Sequence, residues 1–263
     1  ADARVLAGGT AMVNLQVTEQ SKRDLLMLEA IVVPLSFLVL IWVFGGMFAA
    51  ALPVVVGVMA ILGSLAVLRT VTFFTEVSIF ALNLTTAMGL ALAIDYTLLM
   101  ISRYRDELAG GADRVQAITT TMATAGRTVL FSAVTVALSM AAMVLFPMNF
   151  LRSFAYAGVA TVAFAAVSAV VVTPAAIMLL GDRLDSLDVR RALRRLLGRP
   201  EPQPLPVDQQ FWYRSTKFVM RRALPIGWAT VALLALLGAP FFGVKPGFPD
   251  DRVLPKSASA HQV

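Results

Sequence analysis

Long apolar blocks alternate with short polar stretches along most of this chain. Each block approaches the roughly 20 residues that a hydrocarbon slab about 30 Å thick demands of a helix. Backbone groups in lipid must bond within their own segment, so runs of this length are read as helices. The pattern predicts six crossings, over about 24–43, 46–68, 77–101, 128–146, 153–180 and 224–242. The expected fold class is an all-α membrane protein, a six-transmembrane-helix bundle. The fifth crossing is long enough to tilt or protrude.

The polar stretches divide the rest. Residues 1–23 and 244–263 read as the edges of extracytoplasmic domains, flanking five crossings in 24–180 and the sixth in 223–243. Residues 181–222 read as a cytoplasmic linker. Within it, Arg183 to Leu197 sets Leu184, Leu187, Leu193, Leu196 and Leu197 among arginines. That pattern fits a basic amphipathic helix on an anionic membrane surface, or a solvated charged helix. A proline-rich spacer follows between Pro200 and Pro206. Phe211, Trp212 and Tyr213 then lead into the sixth crossing, where aromatic rings suit the headgroup layer.

Composition agrees with a lipid environment: 58% of residues are hydrophobic and 14% charged, with a mean hydropathy of +0.78. Soluble domains carry about a quarter charged residues. The net charge of +6 does not mark a nucleic-acid partner, because the basic residues gather at the ends of apolar blocks. With the loops after the third and fifth crossings in the cytoplasm, 14 of the 22 Lys and Arg residues lie on that side and 8 on the other. The positive-inside bias therefore favours that orientation, with both chain ends extracytoplasmic. The chain opens Ala1-Asp-Ala-Arg4, without a starting methionine or a recognisable signal segment. It is expected to be an internal piece of a longer plasma-membrane (inner-membrane) protein.

Cysteine is absent and the one histidine, His261, lies in the polar tail. No disulfide, thiolate metal site, histidine triad or cofactor site is expected, and no enzymatic activity. The remaining chemistry belongs to carboxylates, hydroxyls and arginines.

The third crossing carries the deepest carboxylate. Asp95 follows Leu92-Ala-Ile94, and Arg103 and Arg105 mark the cytoplasmic edge about 12–15 Å further along the helix. An ionised carboxylate at that depth costs several kcal/mol unless paired or hydrated. A group under that constraint suits reversible proton binding; alternatively it bonds a neighbouring helix and fixes packing. Glu29 and Glu76 lie near the outer ends of their helices, where water is expected to reach them. In the fourth crossing Thr128, Ser132, Thr135 and Ser139 are spaced four, three and four, so they share one helical face. The stripe can hold water or pass protons, or it can serve close packing by bonding its own carbonyls. Gly57, Gly63, Ser64, Gly89, Ala93 and Gly158 are read as packing residues. Pro34, Pro53 and Pro174 are expected to kink or loosen their helices.

Gly89-Leu-Ala-Leu-Ala-Ile-Asp-Tyr-Thr-Leu-Leu99, followed by Ser102-Arg-Tyr-Arg-Asp-Glu107, resembles the fourth transmembrane helix of the MmpL proteins. These are the mycobacterial membrane protein large transporters of the resistance-nodulation-division superfamily. Gly8-Gly-Thr-Ala11, Gly126-Arg-Thr-Val-Leu-Phe-Ser132 and Asp250-Asp-Arg-Val-Leu-Pro255 extend the resemblance over essentially the whole chain. It implies that these six crossings are helices two to seven of a twelve-helix transporter with two porter domains. It further implies that Asp95 and Tyr96 form half of a proton relay, completed by an equivalent pair in a second half of the protein. Ser132 is the best candidate for the associated hydroxyl. The implied activity is export of lipids or lipid-like molecules on the proton gradient, in contact with membrane lipids and in an oligomer or a single copy.

Two other classes remain for comparison. An intramembrane aspartyl protease needs a second deep aspartate, which this sequence lacks. A sterol-sensor-like module that binds lipid and regulates a partner without transport shares the same helical core.

Overall fold

The computed structural model describes residues 9–185, 195 and 211–243. The expected amphipathic helix over 183–197 and the proline spacer lie mostly outside those residues, as do both ends of the chain. All regular elements among the described residues are helical. They are α1 (Thr10–Phe44), α2 (Met47–Val71), α3 (Ile79–Ala109), α4 (Arg114–Thr121), α5 (Arg127–Ala141), α6 (Asn149–Leu180), α7 (Phe211–Arg221) and α8 (Ala223–Gly238). A π-helical turn, Met122–Gly126, joins α4 to α5. Among the described residues, six helical stretches are long and apolar enough to cross a membrane: Leu15–Phe44, Met47–Val71, Ile79–Ala109, Arg114–Leu145, Asn149–Leu180 and Ala223–Gly243. The chain is an all-α, multi-pass membrane protein.

The chain forms two compact units, Ser21–Gly198 and Ala1–Gln20 with Arg199–Val263. In the first, α2, α3 and α6 pack on one another and α5 packs on α6. Lipid supplies no hydrophobic force between helices, so their association depends on close backbone approach through small residues. Ala49, Ala50, Ala60, Ala81, Ala93, Ala155, Ala157 and Ala165 are all buried. Gly89 of α3 lies where an added Cβ would come 2.9 Å from Ile61 and 3.4 Å from Thr161. Gly63 of α2 faces the ring of Phe164, and Gly158 of α6 faces Met140. Many large side chains point outward instead, as with Leu62, Phe131, Leu138 and Leu179, although Leu68, Met100, Ile101 and Ile177 are buried. This is the distribution expected where the solvent is hydrocarbon.

Short polar devices fix the helix ends. Ser78 caps α3 by accepting from Phe80 N–H, and its own N–H donates to Ser153 Oγ at 3.0 Å, tying the starts of α3 and α6. Asp113 caps α4 through Gln116 N–H at 2.8 Å. Arg105 donates to the Phe44 carbonyl at 3.3 Å and stacks over the Phe44 ring, fastening the end of α1 to α3.

Helical structure runs further than the hydropathy blocks. The fourth rod begins at Arg114, not at Thr128, because the intervening threonines satisfy themselves locally. Thr119 donates to the Val115 carbonyl at 2.8 Å and Thr124 to the Thr120 carbonyl at 2.7 Å. Helix α1 likewise extends back to Thr10 through polar residues.

In the other unit, α7 carries the aromatic residues Phe211 and Phe218 beside the basic residues Arg214, Lys217 and Arg221. Lys217 lies over the Tyr213 ring and Arg222 over Phe218. Helix α8 is apolar throughout and none of its residues is buried.

Candidate functional site

Asp95 lies 16 residues into α3, about 24 Å from its start, and eight residues before Arg103. The helical period brings Leu92, Asp95, Tyr96, Leu99 and Ser102 to one flank of α3. Opposite them, α5 presents Thr128, Val129 and Ser132, and the two sets line an open cleft of about 630 Å³.

Within this cleft the polar groups occupy different states. Asp95 is exposed, whereas Tyr96 beside it is 5% exposed. Ser132 and Asp95 are both within interaction range of the Tyr96 phenol. The phenol oxygen nevertheless makes no hydrogen bond of acceptable geometry. Thr97, the next residue, is fully buried and its hydroxyl is also unpartnered. Buried hydroxyls are normally satisfied; the Tyr96 exception lies on the cleft, whereas Thr97 does not line it.

The four hydroxyls of the α5 stripe do not behave alike. Thr128 donates to the Thr124 carbonyl at 3.1 Å, Thr135 to Phe131 at 2.9 Å and Ser139 to Thr135 at 2.9 Å. Ser132 makes no such bond, and it is the one beside Tyr96. Thr128 and Ser132 line the cleft, while Thr135 and Ser139 fall outside it. The structure therefore gathers Asp95, Tyr96, Thr128 and Ser132, and leaves the rest of the stripe to its own helix backbone.

Two features escaped the sequence reading. Ser102 lines the cleft seven residues after Asp95, a spacing that puts both on one face and could have revealed it. The π turn at Met122–Gly126 sits directly before α5 and sets the rotation of α5 relative to α4. Such single-turn bulges gather at functional sites. Its sequence, Met-Ala-Thr-Ala-Gly, carries no distinctive signal.

The MMPL family model matches residues 1–226. Among curated proteins, the trehalose monomycolate exporter MmpL3 of Mycolicibacterium smegmatis is 36% identical over 251 residues, covering 89% of this chain and 25% of that protein. The putative membrane protein SCO6666 of Streptomyces coelicolor is 35% identical over 259 residues, 98% of this chain and 35% of the relative. The mycolic acid-containing lipids exporter MmpL11 of Mycolicibacterium smegmatis is 32% identical over 239 residues, 91% of this chain and 24% of the relative. The chain thus spans about a quarter to a third of the length of the curated relatives it matches.

Proposed function

Since the chain belongs to the MMPL family, we propose that it works within an exporter that moves lipids or lipid-like molecules across the plasma membrane toward the cell envelope, driven by proton flow. The observation that carries this reading is Asp95, a mid-helix carboxylate on an open cleft beside an unpartnered buried phenol. Intramembrane ionisable groups are costly and face either a partner or a water-filled path.

Asp95 is the proton-binding group. When ionised it is stabilised by donors, and Tyr96 and Ser132 are the O–H groups at hand. When protonated it becomes a donor itself and costs less to bury. The two states therefore favour different packing of α3 against whatever covers the cleft, and alternation between them couples proton passage to helix movement. The covering surface is an acidic and phenolic pair from outside these residues. Cytoplasmic placement of the loops after the third and fifth crossings rests on the arginine and lysine distribution.

Asp95→Asn in the full-length protein, reconstituted in liposomes, tests the proposal. Proton flux and lipid export are expected to fall to background while the protein stays folded, since Asp95 is exposed and forms no ion pair among the described residues. Persistent export at normal protein levels overturns the relay. Absence of proton flux in the unsubstituted protein points instead to a lipid-binding regulatory module.

A further inference from the structure

The core between α2, α3 and α6 carries its hydroxyls in two states. Ser64, Thr85 and Thr161 are fully buried, and each donates to the carbonyl four residues back, at 2.6, 2.9 and 2.7 Å. Thr97 and Thr173 are equally buried, yet neither hydroxyl makes a hydrogen bond among the described residues. A buried donor left bare is costly, so each calls for a partner.

Packing brings these two hydroxyls to one place. Gly89, Ala93 and Thr97 recur at every fourth position of α3, as do Thr161, Ala165, Ala169 and Thr173 on α6, so each set shares a helical face. The faces meet, since a Cβ added to Gly89 would come 3.4 Å from Thr161. Helices α3 and α6 run parallel from the Ser78–Ser153 bond at their starts. Counting along both helices from that bond, and from the Gly89–Thr161 contact, sets Thr173 about 1.5–6 Å further along the axis than Thr97.

Two prolines lie at the same level. A Cβ added to Gly57 of α2 would come 3.4 Å from Ala93. Four residues from that contact lie Pro53 on α2 and Thr97 on α3. Gly63 of α2 faces Phe164 of α6, and ten residues from that contact lie Pro53 and Pro174. Proline has no N–H, so the Ala49 and Val170 carbonyls lose the donor that a helix ordinarily gives them. Within a bilayer, Ser or Thr side chains or ordered waters bond such carbonyls. Thr97 and Thr173 are the hydroxyls at hand and bond neither.

A third hydroxyl continues the line. Gly158 of α6 faces Met140 of α5, and nineteen residues from that contact lie Ile177 and Thr121, one turn beyond Thr173. Thr121 is 2% exposed and its hydroxyl is likewise unpartnered among the described residues. Water fits this arrangement in size and in chemistry. Steps of about one helical turn match the roughly 5.6 Å that two O–H···O bonds span through one water. A buried water makes about three hydrogen bonds, donating and accepting. A cation would instead sit among neutral oxygens without a carboxylate.

We propose that the core between α2, α3 and α6 binds a file of about two ordered waters, from Thr97 past Thr173 to Thr121, that also bond the carbonyls freed by Pro53 and Pro174. These waters join three helices by polar bridges where lipid supplies no hydrophobic force between them. They lie apart from the proton cleft, which neither Thr97 nor Thr173 lines. Their binding does not depend on transport or its driving force.

Radiolytic hydroxyl-radical labelling of the full-length protein in phosphatidylcholine nanodiscs tests the file, because bound water itself yields the radicals. Met100, fully buried and one turn from Thr97, is expected to be oxidised despite its burial. Thr97→Val with Thr173→Val keeps the shapes and removes both hydroxyls. That pair should reduce Met100 oxidation to background and lower the Tm. Thr85→Val removes a hydroxyl already bonded to its own helix and should leave Met100 oxidation unchanged. If the hydroxyls were bare, the Val pair would raise the Tm instead, since a bare buried donor destabilises. That result overturns the proposal, as does an unoxidised Met100 or oxidation indifferent to the Val pair. Thr97→Ser with Thr173→Ser retains both hydroxyls and should retain the label. Loss of label there also overturns the proposal, which keeps the test decisive if the Val pair fails to fold.

Discussion

Two carboxylates flank α3 within the membrane-length helices, and their surroundings differ more than their chemistry does. Asp95 opens onto a cleft shared with Tyr96, Ser102, Thr128 and Ser132. Glu29, on α1, looks across an aliphatic groove at Thr86, whose hydroxyl is already engaged with its own helix. A carboxyl group among exchangeable O–H groups has somewhere to send a proton. A carboxyl group among methyl groups has no such chain of hydroxyls beside it. The neighbours decide whether the same functional group can serve as a carrier.

The largest effect should separate the two outright. Asp95→Asn is expected to take proton-driven export to background in the liposome assay, while Glu29→Gln leaves proton flux intact. If Glu29→Gln also stops proton flux, the two sites are one pathway and the contrast fails.

Next comes the π turn, which acts on one side of the comparison only. Inserting one alanine between Gly126 and Arg127 keeps the π turn, Met122–Gly126, but shifts the phase of α5 that follows it. One residue corresponds to about 100° of rotation, so Ser132 and Thr128 can no longer keep their places beside Tyr96 and Asp95. Misplacing catalytic-type groups by about 1 Å can cost on the order of a hundredfold, and a loss of that size in export is expected. Circular dichroism and size-exclusion behaviour check that the bundle survives.

These features were unequally visible in the sequence. The crossings were legible because a bilayer imposes a fixed apolar length, and the depth of Asp95 followed from counting residues to Arg103. The flank of α3 that faces α5 was not legible, since helical spacing reveals a shared face without naming its neighbour. For that reason the hydroxyl stripe looked uniform, although Thr135 and Ser139 bond their own helix outside the cleft. Glu29 was read as lying near a helix end; because α1 runs back to Thr10, it lies 19 residues in, half-buried on the wall of an open groove. The extension of the fourth rod back to Arg114 was hidden because its polar threonines read as loop when they in fact bond backward along a helix.

Tyr96→Phe should produce an intermediate effect. The phenol oxygen is buried without a hydrogen bond, so removing it leaves stability unchanged or slightly higher. Export should nevertheless fall about tenfold, less than the hundredfold or more typical of losing a proton-transfer group itself. A variant that is more stable and less active places the cost of that unpartnered oxygen with function. A variant equally active would make Tyr96 a packing residue, and the contrast with Glu29 would then rest on Asp95 alone.

The smallest effect tests whether the cleft, and not the stripe as a whole, matters. Ser132→Ala removes the one stripe hydroxyl that makes no bond to its own backbone and lies beside Tyr96. Thr135→Ala, one turn away, removes a hydroxyl already bonded to the Phe131 carbonyl at 2.9 Å. Both are surface-like changes on the bundle and should alter stability by no more than about 0.5 kcal/mol. If the hydroxyl acts on the relay, one lost hydrogen bond of about 1 kcal/mol lowers export roughly fivefold in Ser132→Ala, and Thr135→Ala matches the unsubstituted protein. Equal losses would mean that the whole α5 face conducts, extending the polar side of α3 along the helix. Equal silence would restrict the chemistry to α3 and leave α5 as a wall, much as α1 is a wall for Glu29.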